Sequence, residues 1–306
     1  MERIKMFKAI YRQLSREEGQ SLVITALAMI ALLGMTALII DGGYAYAQHR
    51  RMQNAADLAT LAGARALGLG LSEWEIEQEI SYYAQANGAD TFSYYFIDAN
   101  GQPVGSLSAA RGVAVTTQHT FDTFLAAIIG KDRITVAADS KATLYGIGET
   151  NNLLPIAVHE DNFEYEMVYE LWDNNHEAPG AFGWVDWDGG GGGLHELADN
   201  IAHPENSGTW QVGDQVPAEP GVKAGMPVRR ALDQWIGQPV TVILYDEVTG
   251  QGSNARYHIS GFAEFVLTEY NFRGSNKYIR GYFVRYVTSG KPGGSEFGLQ
   301  GIRFIE

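Results

Sequence analysis

Carboxylates set against glycines are the first residues in this chain that could do chemistry. The stretch "DWDGGGGG" runs from Asp186 to Gly193, and two aspartates one residue apart beside a flexible loop can begin a calcium site. A loop of the EF-hand kind needs a third oxygen ligand two residues on and a glutamate at its twelfth position. Gly190 and Leu197 stand there instead. Asp186 and Asp188 are therefore a candidate calcium pair, with a turn capped by its own carboxylates as the alternative. His195-Glu196-Leu197-Ala198-Asp199 begins like a zinc-protease helix, but Asp199 occupies the place of the second histidine, so no metal is expected there. There is no G-x-S-x-G nucleophile elbow. "GQGSNA" at Gly250–Ala255 fits a dinucleotide pattern only formally; it lies between two strand patterns with no helix after it, which makes it a hairpin loop. Asp161, Asp173, Asp246 and Glu247 read as scattered turn acids. No catalytic constellation forms, and neither an enzyme nor a cofactor is expected.

Tryptophans offer a second chemistry. Trp172, Trp184, Trp187, Trp210 and Trp235 share the C-terminal half with many tyrosines. Exposed together they would stack on sugar rings; buried, they are large core residues. Trp184 and Trp187, beside the glycine loop, are the candidate ligand-binding pair.

The elements that must position these residues follow from periodicity and punctuation. Ser72 with Glu75 is a capping-box pattern that opens "SEWEIEQEISYYAQANG", and Gly88 is its natural stop. "SYYFID" and "GVAVTTQHTF" read as strands, "FDTFLAAIIG" as a short helix ending at Gly130, and "RITVAADSKATLYG" as a further strand. Residues 69–150 therefore form a small α+β domain. "GIGETNN", Gly146–Asn152, reads as a polar linker. Beyond it, strands are expected at Leu154–Val158, Tyr165–Trp172, Val240–Tyr245, Tyr257–Leu267, Tyr278–Val287 and Ile302–Ile305. Helices are expected at His195–Ala202 and Val228–Trp235. Residues 151–306 thus read as a β-rich C-terminal domain, a sandwich or a barrel-like fold.

Charge and the absence of one residue type narrow the setting. The chain has 306 residues and a net charge of −14, and the first 40 residues are net basic, so the remainder is more acidic still. Such a body repels nucleic acid. No cysteine is present, which excludes disulfides, thiolate metal sites and cysteine nucleophiles. Gln20–Ile40 contains no charged residue and, at about 1.5 Å per residue, spans roughly 31 Å, one hydrocarbon core. Arg3, Lys5, Lys8, Arg12 and Arg16 precede it. The positive-inside rule then puts residues 1–19 in the cytoplasm and the bulk outside, as a single-pass protein of the cell membrane in contact with the bilayer. A secretory leader is the alternative, with a shorter apolar region and a small-x-small cut site. Residues 41–68 continue in good helix formers, with Gly42 and Gly43 as a kink or loosened turn. Ala55, Ala59, Ala62 and Ala66 fall on one face, a small-residue stripe that either receives a partner helix or packs on the protein's own domain. The fold class is α+β: one transmembrane helix extending into a stalk, a small α+β domain, then the β-rich domain.

From Gly19 to about Leu67 the pattern resembles the N-terminal region of TadE/TadG-like proteins of Flp (tight-adherence, Tad) pilus assembly. "GQSLVI", the apolar span and "DGGYAYAQHRRMQNAADLATLAGARAL" carry it, with Gln53-Asn54-Ala55-Ala56-Asp57 and Ala62-Gly63-Ala64 its most specific part. Segments of the C-terminal half, among them "GWVDWDGG" and "YHISGFAEFVLTEYNF", are similar to those that follow such anchors in some bacteria. The resemblance implies a membrane-tethered protein with an extracytoplasmic body. It acts structurally in pilus assembly, anchoring or surface adhesion, through other pilus-assembly proteins or copies of itself. Gly19-Gln20 would be the prepilin-peptidase site of a pilin-like filament subunit, but such pseudopilins usually carry glutamate at the fifth mature position, where Ile24 stands. The uncut TadG-like arrangement fits the chain better. The D-x-S-x-S motif of the von Willebrand A-type domain found in some TadG-like proteins is absent. A surface adhesin that binds glycan is the remaining alternative.

Overall fold

The computed structural model describes residues 18–160, 165–171, 183–191, 193–219, 221, 223, 225–273, 277–294 and 298–305. The basic segment before Glu18 and the residues Asp161, Trp172 and Asp173 lie outside them. The chain divides into two compact units. The first holds the chain up to Ala56 with Ala84–Phe92 and Thr116–Asp139; the second holds Asp57–Tyr83, Ser93–Val115 and Ser140–Glu306.

The first unit is organised by helix α1, Glu18–Gly68, whose 51 residues make it roughly 75 Å long and carry it on into the second unit. Gly42 and Gly43 do not interrupt it, although a kink is expected there from sequence. From Leu22 to Ile40 every large apolar side chain is exposed, Leu38 by 77% and Ile40, the least, by 45%. Strands β1 (Thr91–Ile97), β2 (Gly112–Asp122) and β3 (Arg133–Thr150) follow the second helix, α2 (Glu73–Ala86). Within the first unit β2 and β3 are stitched to α1 by polar contacts. Thr117 Oγ1 donates to the Met52 carbonyl at 2.9 Å, His49 Nδ1 to the Ala137 carbonyl at 3.0 Å, and Gln53 Nε2 to the Asp139 carbonyl at 3.1 Å. The expected helix over Phe121–Gly130 is a single 3-10 turn, Ala126–Ile129, closed by Gly130 in the left-handed region.

In the second unit the capping box forms as the spacing predicts. The Ser72 backbone N–H donates to Glu75 Oε2 at 2.9 Å, and the Glu75 N–H returns to Ser72 Oγ at 3.4 Å. One sheet runs β1-β2-β3-β13-β11, with β13 at Leu299–Ile305 and β11 at Tyr286–Val287; β12 (Lys291–Gly294) and β6 (Trp210–Gln211) pair with β3. The other runs β4-β8-β9-β10-β5, with β7 (Gln215–Pro217) on β9; its strands are Leu153–His159, Pro239–Thr249, Arg256–Asn271, Tyr278–Val284 and Val168–Glu170 in that order. Helices α3 (Gly193–Ala202) and α4 (Met226–Asp233) complete it.

The run "LLPIAV" shows why β4 has no polar face. Leu154, Ile156 and Val158 enter one core with Leu197 and Ile201 of α3 and Phe265 of β9. Leu153 and Ala157 enter a second core with Tyr257, Phe262 and, from the first sheet, Ile147 and Leu299. A strand covered on both faces reads as an unbroken apolar run. The stretch Gly146–Asn152, expected as a linker, is instead strand as far as Thr150. Its glycines have a packing reason: a Cβ on Gly148 would lie 2.7 Å from the Gly293 backbone.

Glu264 is the one acid of β9 buried by this arrangement, 6% exposed, and it accepts a 3.0 Å hydrogen bond from Thr241 Oγ1. Burial raises its carboxyl above the ordinary range, and the Thr241 bond only partly opposes this. A raised acid favours folding below the unfolded carboxylate value and loses that stability as pH climbs toward the folded one. Glu264→Gln is therefore expected to raise the melting temperature at about pH 8 and to change it little at about pH 4. Thermal melts at the two pH values check this; equal effects at both would show that folding does not raise the Glu264 carboxyl.

Candidate functional site

The functional features are built on α1 and on the glycine loop. Along α1 the small residues are used by the chain itself. Ala55, Ala59 and Ala66 are buried, and Ala62 is half-buried. Gly63 allows a close approach, since a Cβ there would lie 2.7 Å from Ile80 Cγ1 of α2. Of the stripe, Ala62 and Ala66 border a groove, Ala62 being the more open. With Leu58, Leu61, Arg65, Leu69, Glu79 and Tyr83 they line its volume of about 300 Å³. Gly19 and Gln20 lie in the first turn of α1, and Ile24, at the place of the pilin glutamate, is 61% exposed.

The glycine loop gathers carboxylates. Asp186, Asp188 and Glu196 each offer an oxygen, all within 4.8 Å of one another. Asp186 is buried and accepts from the Gly191 N–H at 2.9 Å; Asp188 Oδ1 accepts from the Gly190 N–H at 2.7 Å. These are the turn-capping bonds given as the alternative to metal binding. Glu196 comes from the first turn of α3, and buried Glu219 stands near, ion-paired to Lys223 at 2.8 Å. Burial raises the Glu196 carboxyl, and the charges of Asp188, Asp186 and Glu219 raise it further. The donor set is all oxygen, the kind a hard cation takes. Sequence spacing cannot find Glu196, because its place depends on where the loop returns the chain to α3.

Trp184 and Trp187 do not form one face. Trp184 is fully buried in the core beneath α3, which corrects the idea of its ring as a sugar platform: nothing can stack on it without opening that core. Trp187 is half-buried against the other core, its ring 5.9 Å from that of Trp210. "GQGSNA" is, as expected, the connection between antiparallel β8 and β9.

The described residues define a class: a mixed α+β chain with a long N-terminal helix whose large apolar side chains from Leu22 to Ile40 are exposed. Residues 19–66, the segment that carries the resemblance, match the family described as putative Flp pilus-assembly TadE/G-like. No curated protein and no solved structure matches the chain.

Proposed function

We propose that this protein is a single-pass membrane protein whose N-terminus is cytoplasmic and whose body is extracytoplasmic, where it serves Flp-type pilus assembly or anchoring by position rather than by catalysis. The observation that carries the reading is the exposure of Leu22–Ile40 within the same helix that matches the pilus-assembly family. Twelve exposed large apolar side chains on a water-soluble protein would be a large unfavourable surface, whereas a bilayer covers them at no cost. The N-terminal sequence of the protein isolated from its own cells tests it. A start at Met1 with resistance to alkaline extraction fits the permanent anchor. A start at Gln20 moves the protein into a filament. A soluble protein overturns the reading.

Partners are expected at the groove around Ala62, the half-buried alanine of the stripe, since Ala55, Ala59 and Ala66 are buried. Ala62→Glu should block pilus assembly with an unchanged melting temperature. Ala59→Leu, at a fully buried site, should instead lower the melting temperature by overpacking. Complementation of a deletion strain, with melts of the purified variants, checks both. Normal assembly by Ala62→Glu would remove the groove as an interface.

A further inference from the structure

Asp41 follows the apolar run directly, and it is buried, 4% exposed. Three backbone N–H groups of a distant loop close on its carboxylate: Phe124 at 2.8 Å to Oδ1, Leu125 at 2.9 Å and Ala126 at 2.6 Å to Oδ2. The carboxylate thus caps the 3-10 turn Ala126–Ile129 from the side of α1. Tyr44, one turn on, packs edge-on against Phe121 and Phe124, with ring centroids 4.9 and 5.5 Å away. Helix side chains lean toward the helix N-terminus. The Asp41 carboxylate therefore reaches back over the last turn of the apolar run. Ala37, four residues earlier on that face, is half-buried although the large side chains around it are exposed.

The loop so pinned is apolar and open. Ile128 is 82% exposed and Phe124 63%. The charges that flank it, Asp122, Lys131, Asp132 and Arg133, cancel, and Arg133 is paired with Asp122 at 2.9 Å. Phe124, Tyr44 and Tyr46 bring exposed aromatic rings to the level where the run ends, and aromatic rings favour the membrane interface. We infer that the Phe124–Ile128 loop is a second membrane contact, inserted into the outer interface beside the helix and held at that depth by Asp41. Its occupant is the bilayer itself, because the loop is tied to the residue where the bilayer-spanning run stops. The inference rests on the membrane reading of Gln20–Ile40. Apolar burial drives it, and the cancelled flanking charge makes it insensitive to salt.

The chain lacks cysteine, so single-cysteine variants take one probe each. Ile128→Cys, Leu27→Cys and, as an exposed control, Gly105→Cys carry an environment-sensitive fluorophore on the full chain, reconstituted into phosphatidylcholine vesicles with or without brominated lipid. The expected result is quenching at 27 and at 128 by bromolipid, quenching at 105 by aqueous iodide alone, and no change at 128 in high salt. Adding Asp41→Asn to Ile128→Cys should reduce the lipid quenching at 128 and leave that at 27 of a matching variant intact. Quenching at 27 with iodide access at 128 would overturn the loop contact while leaving the anchor. A probe at 128 hidden from both quenchers would mean that protein, such as a second copy, covers the loop, which also overturns it. No lipid quenching at 27 would overturn both readings together.

Discussion

A chain carrying arginine at both Ile30 and Leu33 is expected to leave the membrane fraction while its body stays folded. The two positions sit mid-run on one helix face, 65% and 62% exposed, and touch neither core of the body. On insertion scales an arginine at the centre of a spanning helix costs about 3 kcal/mol, and each lost isoleucine or leucine removes about another 0.5 kcal/mol. The pair therefore shifts insertion by about 7 kcal/mol, roughly a 10⁵-fold change in the partition between inserted and uninserted chain. Among the described residues nothing covers the large side chains of the run, so no contact there offsets that cost. Alkaline extraction of membranes from cells making each form, with circular dichroism of the released protein, measures it. A doubly substituted chain that remains in the membrane would mean that some other segment holds it there.

Gly112→Val is expected to destabilise the body by about 3 kcal/mol or more. Gly112 opens β2 where that strand crowds β3: a Cβ would lie 2.2 Å from the Ala142 carbonyl oxygen and 2.9 Å from Thr143 Cα. Those are backbone atoms, so relief requires moving a strand and not a side chain. The Arg111 carbonyl just before it accepts from the Leu144 N–H at 2.7 Å, a bond the displacement would break. Gly105→Val is the matched control, since a Cβ there meets nothing within 4 Å. Chemical denaturation of the two variants should separate them clearly. Equal midpoints would mean that the β2–β3 approach relaxes without cost.

Much of the fold was legible because local signals and tertiary packing agree. The Ser72–Glu75 box forms, and the expected strand at Leu154–Val158 is observed at Leu153–His159 because both of its faces are covered. The hairpin at Gly250–Ala255 and the helices near His195 and Val228 follow from the same agreement. What was not legible depends on partners far away in sequence. "FLAAII" has helix-forming residues, yet it makes one 3-10 turn whose first N–H groups are held by Asp41, more than 80 residues earlier. "GIGETNN" looks like a linker by composition, but its glycines are there to let β12 lie close. The third carboxylate of the loop cluster was hidden in an abandoned zinc motif, and the stripe of alanines could be read by spacing but not by which surface would cover it.

The distal half of α1 also fixes when the protein can finish folding. Gly68 is met by Leu144, Val287 and Gln300: a Cβ there would lie 2.7 Å from Val287 Cγ2 and 3.2 Å from Gln300 Oε1. β13 pairs with β3 from Gln300 opposite Gly146 to Ile305 opposite Lys141. The helix is the first element and the strand that closes over its end the last among those described. Contacts so distant in sequence form slowly. The Gly68 end of the helix can therefore be closed only once β13 has been made, whereas its Gly63 face can already pack on Ile80 of α2. A chain truncated before Leu299 should therefore leave the Gly68 end of the helix without the cover that β13 supplies.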